Sequence, residues 1–294
     1  MQEFELKRIL VPTDTSEASR VALDYARLFA EKFGADLVIL YADPLAFPID
    51  TLTGVSAPSI PATTEDLALL EKEVRAYADP SLQGMRYEVV VIGGQPIPMI
   101  VRHARECSAD LIVMATHGLR GWRRTILGSV TEGVLHAAPC AVLSVSRTDR
   151  QPRQGKAAVT KIVCPINFTD VARDALRIAT QLSERFGCEL VIVHVVEGGA
   201  ITEKDADEQR VRRWIAPELQ KNCSYRELVL RGGAAERILD CVEDVGADFL
   251  VIGAQHKVLR DTTVIGTTTE RLVRFARCPV LTVVRETAAA TKAA

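Results

Sequence analysis

Residues 8–43 read RILVPTDTSEASRVALDYARLFAEKFGADLVILYAD, and residues 161–196 read KIVCPINFTDVARDALRIATQLSERFGCELVIVHVV. The two stretches align without a gap at an offset of 153, so Pro12 meets Pro165, Asp14 meets Asn167 and Phe33-Gly34 meets Phe186-Gly187. Further on, the offset is 138, where Gly128 meets Gly266, Ser129 meets Thr267, Glu132 meets Glu270 and Cys140 meets Cys278. A chain that repeats itself over such a span is two copies of one folding unit. The change of offset puts 15 extra residues in the first copy, mostly around 44–65, a stretch rich in Pro, Ser, Thr and Ala that reads as a loop.

Each copy alternates short apolar runs with helical spacing. Arg8–Pro12 is a strand. Ser16–Phe33 spaces Ala18, Val21, Ala22, Tyr25, Ala26, Phe29 and Ala30 as a helix does, and Gly34 stops it. Strands are expected at Asp36–Ala42, Arg86–Ile92, Asp110–Ala115 and Ala141–Ser146, with helices over Pro96–Cys107 and Gly128–Ala137. The second copy places its strands at 161–165, 189–195, 225–230, 248–253 and 280–284. Strands apolar on both faces belong to a parallel sheet covered by helices. The expected class is therefore α/β, two tandem doubly wound domains. The expected division is 1–147 for the first domain, 148–160 for a linker and 161–294 for the second.

Composition excludes several classes. With 294 residues, Lys+Arg 36 against Asp+Glu 38 and a net charge of −2, nucleic acid is not the expected partner. No apolar run is long enough for membrane insertion, and the start of the chain lacks a signal pattern. Seven scattered cysteines with no Cys-x-x-Cys pair fit buried thiols in a reducing cytoplasm, the expected location, and the five histidines do not join them in a metal site.

In open α/β sheets a ligand sits at the carboxyl ends of the strands, where strand order reverses. The unusual residues fall there. Pro12, Thr13 and Asp14 follow the first strand. Met114 and Ala115 end the fourth, then Thr116-His117-Gly118, nine residues, and Gly128-Ser129-Val130. The second copy gives Pro165, Ile166 and Asn167, then Ile252-Gly253-Ala254-Gln255-His256, nine residues, and Gly266-Thr267-Thr268. Glycine at a helix start admits an anion to the backbone N–H groups, and Arg120, Arg123 and Arg124 in the first nine-residue interval suit a polyphosphate. The interval of the second copy carries Lys257 and Arg260 but also Asp261. Plainer roles stand beside these. Ser129-x-x-Glu132 and Thr267-x-x-Glu270 are capping boxes, Asp14 is placed to cap the helix near Ser16, the arginines suit a solvated face, and His117 suits a turn.

This pattern resembles the ATP-binding universal stress proteins, which carry Gly-x2-Gly-x9-Gly-(Ser/Thr) at this place and an apolar strand leading into Pro-x-Asp. The resemblance covers nearly all of 7–147 and about 160–285. It implies a five-stranded parallel sheet in the order 3-2-1-4-5 in each copy. It also implies ATP or another adenine nucleotide as ligand, with or without Mg, in one or both domains, and a role as a nucleotide-dependent stress regulator. Asp14 would meet the nucleoside, and the backbone at Ala42 and Val195 the adenine. The departures are Ala115 for the first glycine, His256 for the second and Asn167 for the aspartate, so the first site is the better preserved. Ala115 is expected to narrow the approach to phosphate. An interaction protein with vestigial sites and a slow ATPase are the alternatives. No Walker loop, dinucleotide turn or nucleophile elbow marks a dedicated enzyme. Ala141–Ser146 and Pro279–Val284 would be apolar sheet edges, and the two copies are expected to bury them by pairing intramolecularly about a pseudo-two-fold axis. A homodimer through another face and an unidentified protein partner remain open.

Overall fold

The computed structural model describes residues 4–44, 64–116, 127–146, 149, 159–198, 204–219, 223–254, 257–259, 262–264 and 266–285. In the first half, β1 (Arg8–Thr13) leads into α1 (Glu17–Phe33), β2 (Asp36–Asp43), α2 (Thr64–Leu82), β3 (Tyr87–Gly93), α3 (Pro96–Glu106), β4 (Leu111–Ala115), α4 (Ser129–Ala137) and β5 (Ala141–Val145). The second half runs β6 (Lys161–Ile166), α5 (Asp170–Phe186), β7 (Glu189–Val196), α6 (Lys204–Ile215), β8 (Tyr225–Arg231), α7 (Ala234–Val245) and β9 (Phe249–Ala254). It then adds a hairpin, β10 (Lys257–Leu259) and β11 (Thr262–Val264), before α8 (Thr267–Phe275) and β12 (Val280–Val284).

Every strand expected from the sequence is present within a residue or two of its expected ends. Helices α2 and α6, a single 3-10 turn at Ala216–Glu218 and the β10–β11 hairpin have no counterpart among the expected elements. Helix α2 buries Val74, Ala78 and Leu82, four residues apart along one stripe.

Each half is a parallel sheet in the expected order, and the two halves join into one mixed sheet, β3-β2-β1-β4-β5-β12-β9-β6-β7-β8. The join is antiparallel. Leu143 pairs with Leu281, Ser144 with Val280, and Val142 with Thr282. These are repeat-related residues, so the pairing is self-complementary about the Leu143–Leu281 pair, as two-fold symmetry demands. The expected meeting of the two fifth strands is thus what the chain does. It leaves β3 and β8 as the outer edges, and β8 carries charges at Arg226, Glu227 and Arg231, which discourage further pairing.

The join is reinforced on one face by an aromatic seam. Phe29 of α1 packs edge-on against Phe186 and Phe249 at centroid distances of 5.8 and 5.6 Å, and Tyr25 meets Phe249 at 5.6 Å. Such pairs add stabilisation beyond the area they bury. Two cation–π contacts repeat across the axis, Lys32 over Phe186 at 5.5 Å and Arg185 over Phe33 at 5.2 Å. Residues 32 and 185, like 33 and 186, differ by the repeat offset.

Candidate functional site

The strands that flank the switch point of each half stay paired only at their amino ends. Strand β1 pairs with β4 at Ile9–Leu111 and Leu10–Ile112 and no further, whereas β1 pairs with β2 from Arg8–Asp36 through Thr13–Tyr41. In the second half β6 meets β9 only at Ile162–Phe249 and Val163–Leu250. The carboxyl ends therefore part, and the loop after the first strand and the start of the helix after the fourth lie on either side of the parting.

The loop after β1 is held rigidly. Thr15 sits at φ +60°, a left-handed conformation uncommon for a β-branched residue. What holds it is local: the Thr15 N–H donates to Thr13 Oγ1 at 3.0 Å, and Asp14 Oδ1 accepts from the Ser16 N–H at 3.1 Å and the Ser19 hydroxyl at 2.6 Å. Ser16, not Asp14, is the N-cap of α1, accepting from the Ser19 N–H. Capping by Asp14 is thus corrected: its carboxylate orders the loop and sits half-buried beside the parting. Tyr77 of α2 donates to the Ser16 carbonyl at 2.7 Å, and burial pushes its phenol up to about 12, so it stays a donor at any ordinary pH.

The second half repeats the device. Phe168 sits at φ +61°, and Asn167 Oδ1 accepts from the Thr169 hydroxyl at 2.6 Å. Thr169 caps α5. The amide of Asn167 thus does the local work of the Asp14 carboxylate without its charge, and it is exposed. His194 at the end of β7 directs Nδ1 to the Ile166 carbonyl at 3.0 Å, with the Phe168 ring 4.5 Å away. Arg20 over Tyr77 and Arg173 over Trp214, each at 4.4 Å, are the matching buttresses of the two halves. The cation is legible in the repeat; its aromatic partner lies on a helix that the sequence reading missed.

Across the parting, α4 and α8 start alike. Gly128 and Gly266 are the N-caps, extended at φ −60°, ψ 135° and φ −60°, ψ 141°, and neither helix has a side-chain cap. The capping-box expectation is therefore corrected. Ser129 and Thr267 stand one residue inside the helix, exposed, and a glycine occupies the cap position. The reason is the anchor of the preceding backbone: the Gly128 N–H donates to the Thr116 carbonyl at 2.8 Å and the Thr131 hydroxyl to the Ala115 carbonyl at 2.8 Å. That fixes where the helix begins. Without a capping side chain, the positive end of each helix, at Ser129-Val130 and Thr267-Thr268, faces outward. A Cβ added at Gly266 would meet nothing within 4 Å, so there is open room before that helix.

The remaining expected residues distribute plainly. Pro12 and Thr13 end β1 and are buried, and Met114 and Ile252 are buried in β4 and β9. Ala42, Val195 and Pro165 are half-buried near the ends of β2, β7 and β6, and Ile166 is buried. Gly118, Arg120, His117, Arg123 and Arg124 lie outside the described residues, as do His256, Arg260 and Asp261. Gly253 has a role that differs from the expected one. A Cβ there would come within 2.5 Å of the Val171 carbonyl oxygen and 2.9 Å of the Ala172 nitrogen. The missing side chain lets α5 lie close on β9. By the repeat, Ala115 holds the matching position at the end of β4. Among the described residues no group of three or more His, Cys, Asp or Glu is placed to hold a metal, and no helix is long and apolar enough to cross a membrane.

The model of the universal stress protein family matches residues 5–146 and 158–284. A universal stress protein of Methanocaldococcus jannaschii is 31% identical over 150 residues, covering 49% of this chain and 85% of its own length. One from Bacillus subtilis is 31% identical over 149 residues, covering 47% and 97%. Among solved structures, a universal stress protein from Archaeoglobus fulgidus superposes over 95% of this chain and 98% of its own, with a TM-score of 0.69 at 24% identity. It is similar over both halves together, where the two curated relatives span about one half of this chain.

Proposed function

The chain belongs to the universal stress protein family, and from that membership and the parted strand ends we propose that each half receives an adenine nucleotide and that the bound state regulates a protein partner. The observation that carries this is the pairing of a parted β1–β4 end with a helix start that no side chain caps. Phosphate oxygens take the N–H groups at Ser129-Val130 in the first half and Thr267-Thr268 in the second, with the adjacent hydroxyls as further donors. Asp14 accepts from a ribose hydroxyl, and the backbone at Ala42 and Val195 meets the adenine. Gly118 and Arg120 complete the phosphate side on sequence grounds. Any Mg travels with the phosphates, since Asp14 Oδ1 is already engaged by two donors. The same engagement suits a positioning group and not a general base, which favours regulation over turnover. Asn167 offers no charge, so the first half is expected to bind more tightly.

Denaturing the purified chain and identifying the released compound by chromatography tests occupancy. Calorimetry tests the sites. Gly128→Val and Gly266→Val keep allowed backbone angles, and Gly266→Val adds its side chain to open space; a melting curve checks that each variant is folded. Each is expected to cost its own half roughly tenfold or more in affinity, a loss of about 1.4 kcal/mol or more. Unchanged ATP affinity in both variants sinks the phosphate assignment.

A further inference from the structure

Strands β7 and β8 run in register from Leu190–Tyr225 to Val196–Arg231, and the Leu190 N–H donates to the Ser224 carbonyl at 2.8 Å. Two places back along each chain, that register sets Cys188 beside Cys223. Neighbouring strands lie about 4.8 Å apart, within the Cα separation of about 4.4–6.8 Å that a disulfide spans. Both side chains turn to the same face of the sheet, into the cluster that α5 covers. Cys188 is buried, Cys223 is half-buried, and both are free thiols. One hydroxyl of α5 ties the two together. Ser183 Oγ accepts from the Cys223 thiol at 3.7 Å, donates to the Cys188 carbonyl at 2.6 Å and lies within hydrogen-bonding reach of the Cys188 sulfur. The first half differs: Ala35 holds the place of Cys188, and the same register puts Met85 beside it.

We propose that Cys188 and Cys223 form a peroxide-operated disulfide, which staples the start of β8 to β7 under oxidation and opens again when a dithiol reduces it. Cys223, the more open thiol, meets the peroxide first. Its sulfur, as the thiolate, takes one oxygen of hydrogen peroxide. The S–O bond forms, the O–O bond breaks, and the other oxygen leaves as water with the thiol's proton. The Cys188 sulfur then attacks the Cys223 sulfur. The S–S bond forms, the S–O bond breaks, and the hydroxyl leaves as water with the Cys188 proton. Two thiols give up two electrons, one peroxide takes them, and two waters result.

The surroundings set the pace and the consequence. Burial pushes Cys188 up to about 12 and raises Cys223 as well, with Asp248 adding to the first and Glu184 to the second. Both are protonated at neutral pH, so the reactive thiolate is scarce and the staple answers sustained exposure to peroxide, not a passing pulse. Strand β8 is an outer edge with β7 as its one neighbour. A covalent tie at its start supplies the hold that a second neighbour would give, and closing the loop that carries α6 restricts the unfolded chain.

The test treats the full chain with hydrogen peroxide, blocks the remaining thiols by alkylation and digests with trypsin in the absence of reductant. The two cysteines fall in the tryptic peptides 186–204 and 222–226. These are expected as one linked species, lighter by two hydrogens than their sum, which dithiothreitol separates. The linked protein should melt roughly 4 °C or more above the reduced one. In Cys188→Ser, peroxide should leave Cys223 as a sulfenic acid that dimedone captures, while in wild type it passes on to the disulfide. Mapping of the wild type decides the linkage whether or not that variant folds. Cys188 and Cys223 both recovered alkylated, or Cys223 linked to a different cysteine, overturns the proposal. Equal melting of the linked and reduced forms overturns the action as a staple.

Discussion

Leu143→Asp is expected to part the two halves of the molecule. Leu143 is fully buried and stands opposite its repeat mate Leu281, itself 1% exposed, at the centre of the antiparallel join. An aspartate there has no cation to meet, and ionised or protonated it loses the apolar contact. The cost is about 4 kcal/mol or more, a large share of the stability of an ordinary domain. Leu143 also packs inside its own half, where β5 pairs with β4, so the first half is weakened along with the join while the second keeps its own sheet and helices. Thermal unfolding should shift downward, and small-angle scattering should report a longer particle whose halves remain folded. Tyr225→Asp, at the outer edge strand β8 and 42% exposed, is the control and should stay within about 0.5 kcal/mol of wild type. If Leu143→Asp melts and scatters like the control, the join does not depend on this contact.

Gly253→Val carries the second large effect. Even the first carbon of a side chain would press to 2.5 Å on a backbone oxygen of α5, and backbone cannot swing aside as a flexible side chain can. The helix must lift off β9, with a cost of about 3 kcal/mol or more from lost packing and strain. The repeat supplies the contrast. Ala115 already fills the matching position, so Ala115→Gly should cost about 1 kcal/mol at most, mainly through backbone entropy. Denaturant midpoints of the two variants decide the matter. Equal midpoints would show that the glycine is not required by the closeness of α5.

Much of this was legible in the sequence, because the signals were periodic and came twice. The strands of both halves follow from apolar runs, their order from the family resemblance, and the meeting of β5 with β12 from the hazard that this order leaves a bare edge. Helix α6 was missed because KDADEQRVRRWI is so highly charged that its buried residues, Val211 and Ile215, make a thin stripe. Helix α2 contains Pro80 and still runs on to Leu82. The start of α4 was misjudged by one residue because a capping box specifies spacing, while the Thr116 carbonyl, distant in local pattern, decides which residue is the cap. Gly253 was recognised as unusual for a ligand's sake, when the nearest atoms belong to α5.

The antiparallel join also sets the valency of the molecule. Parallel strands within each half send their carboxyl ends the same way, but the join turns one half against the other, so the two sets of strand ends point in opposite directions along one slab. A flat partner surface resting on one rim is turned away from the other. Whatever reads both rims must reach around the slab or arrive as two copies, one at each end, and in the second case the chain becomes a bridge whose span is fixed by the width of its own sheet.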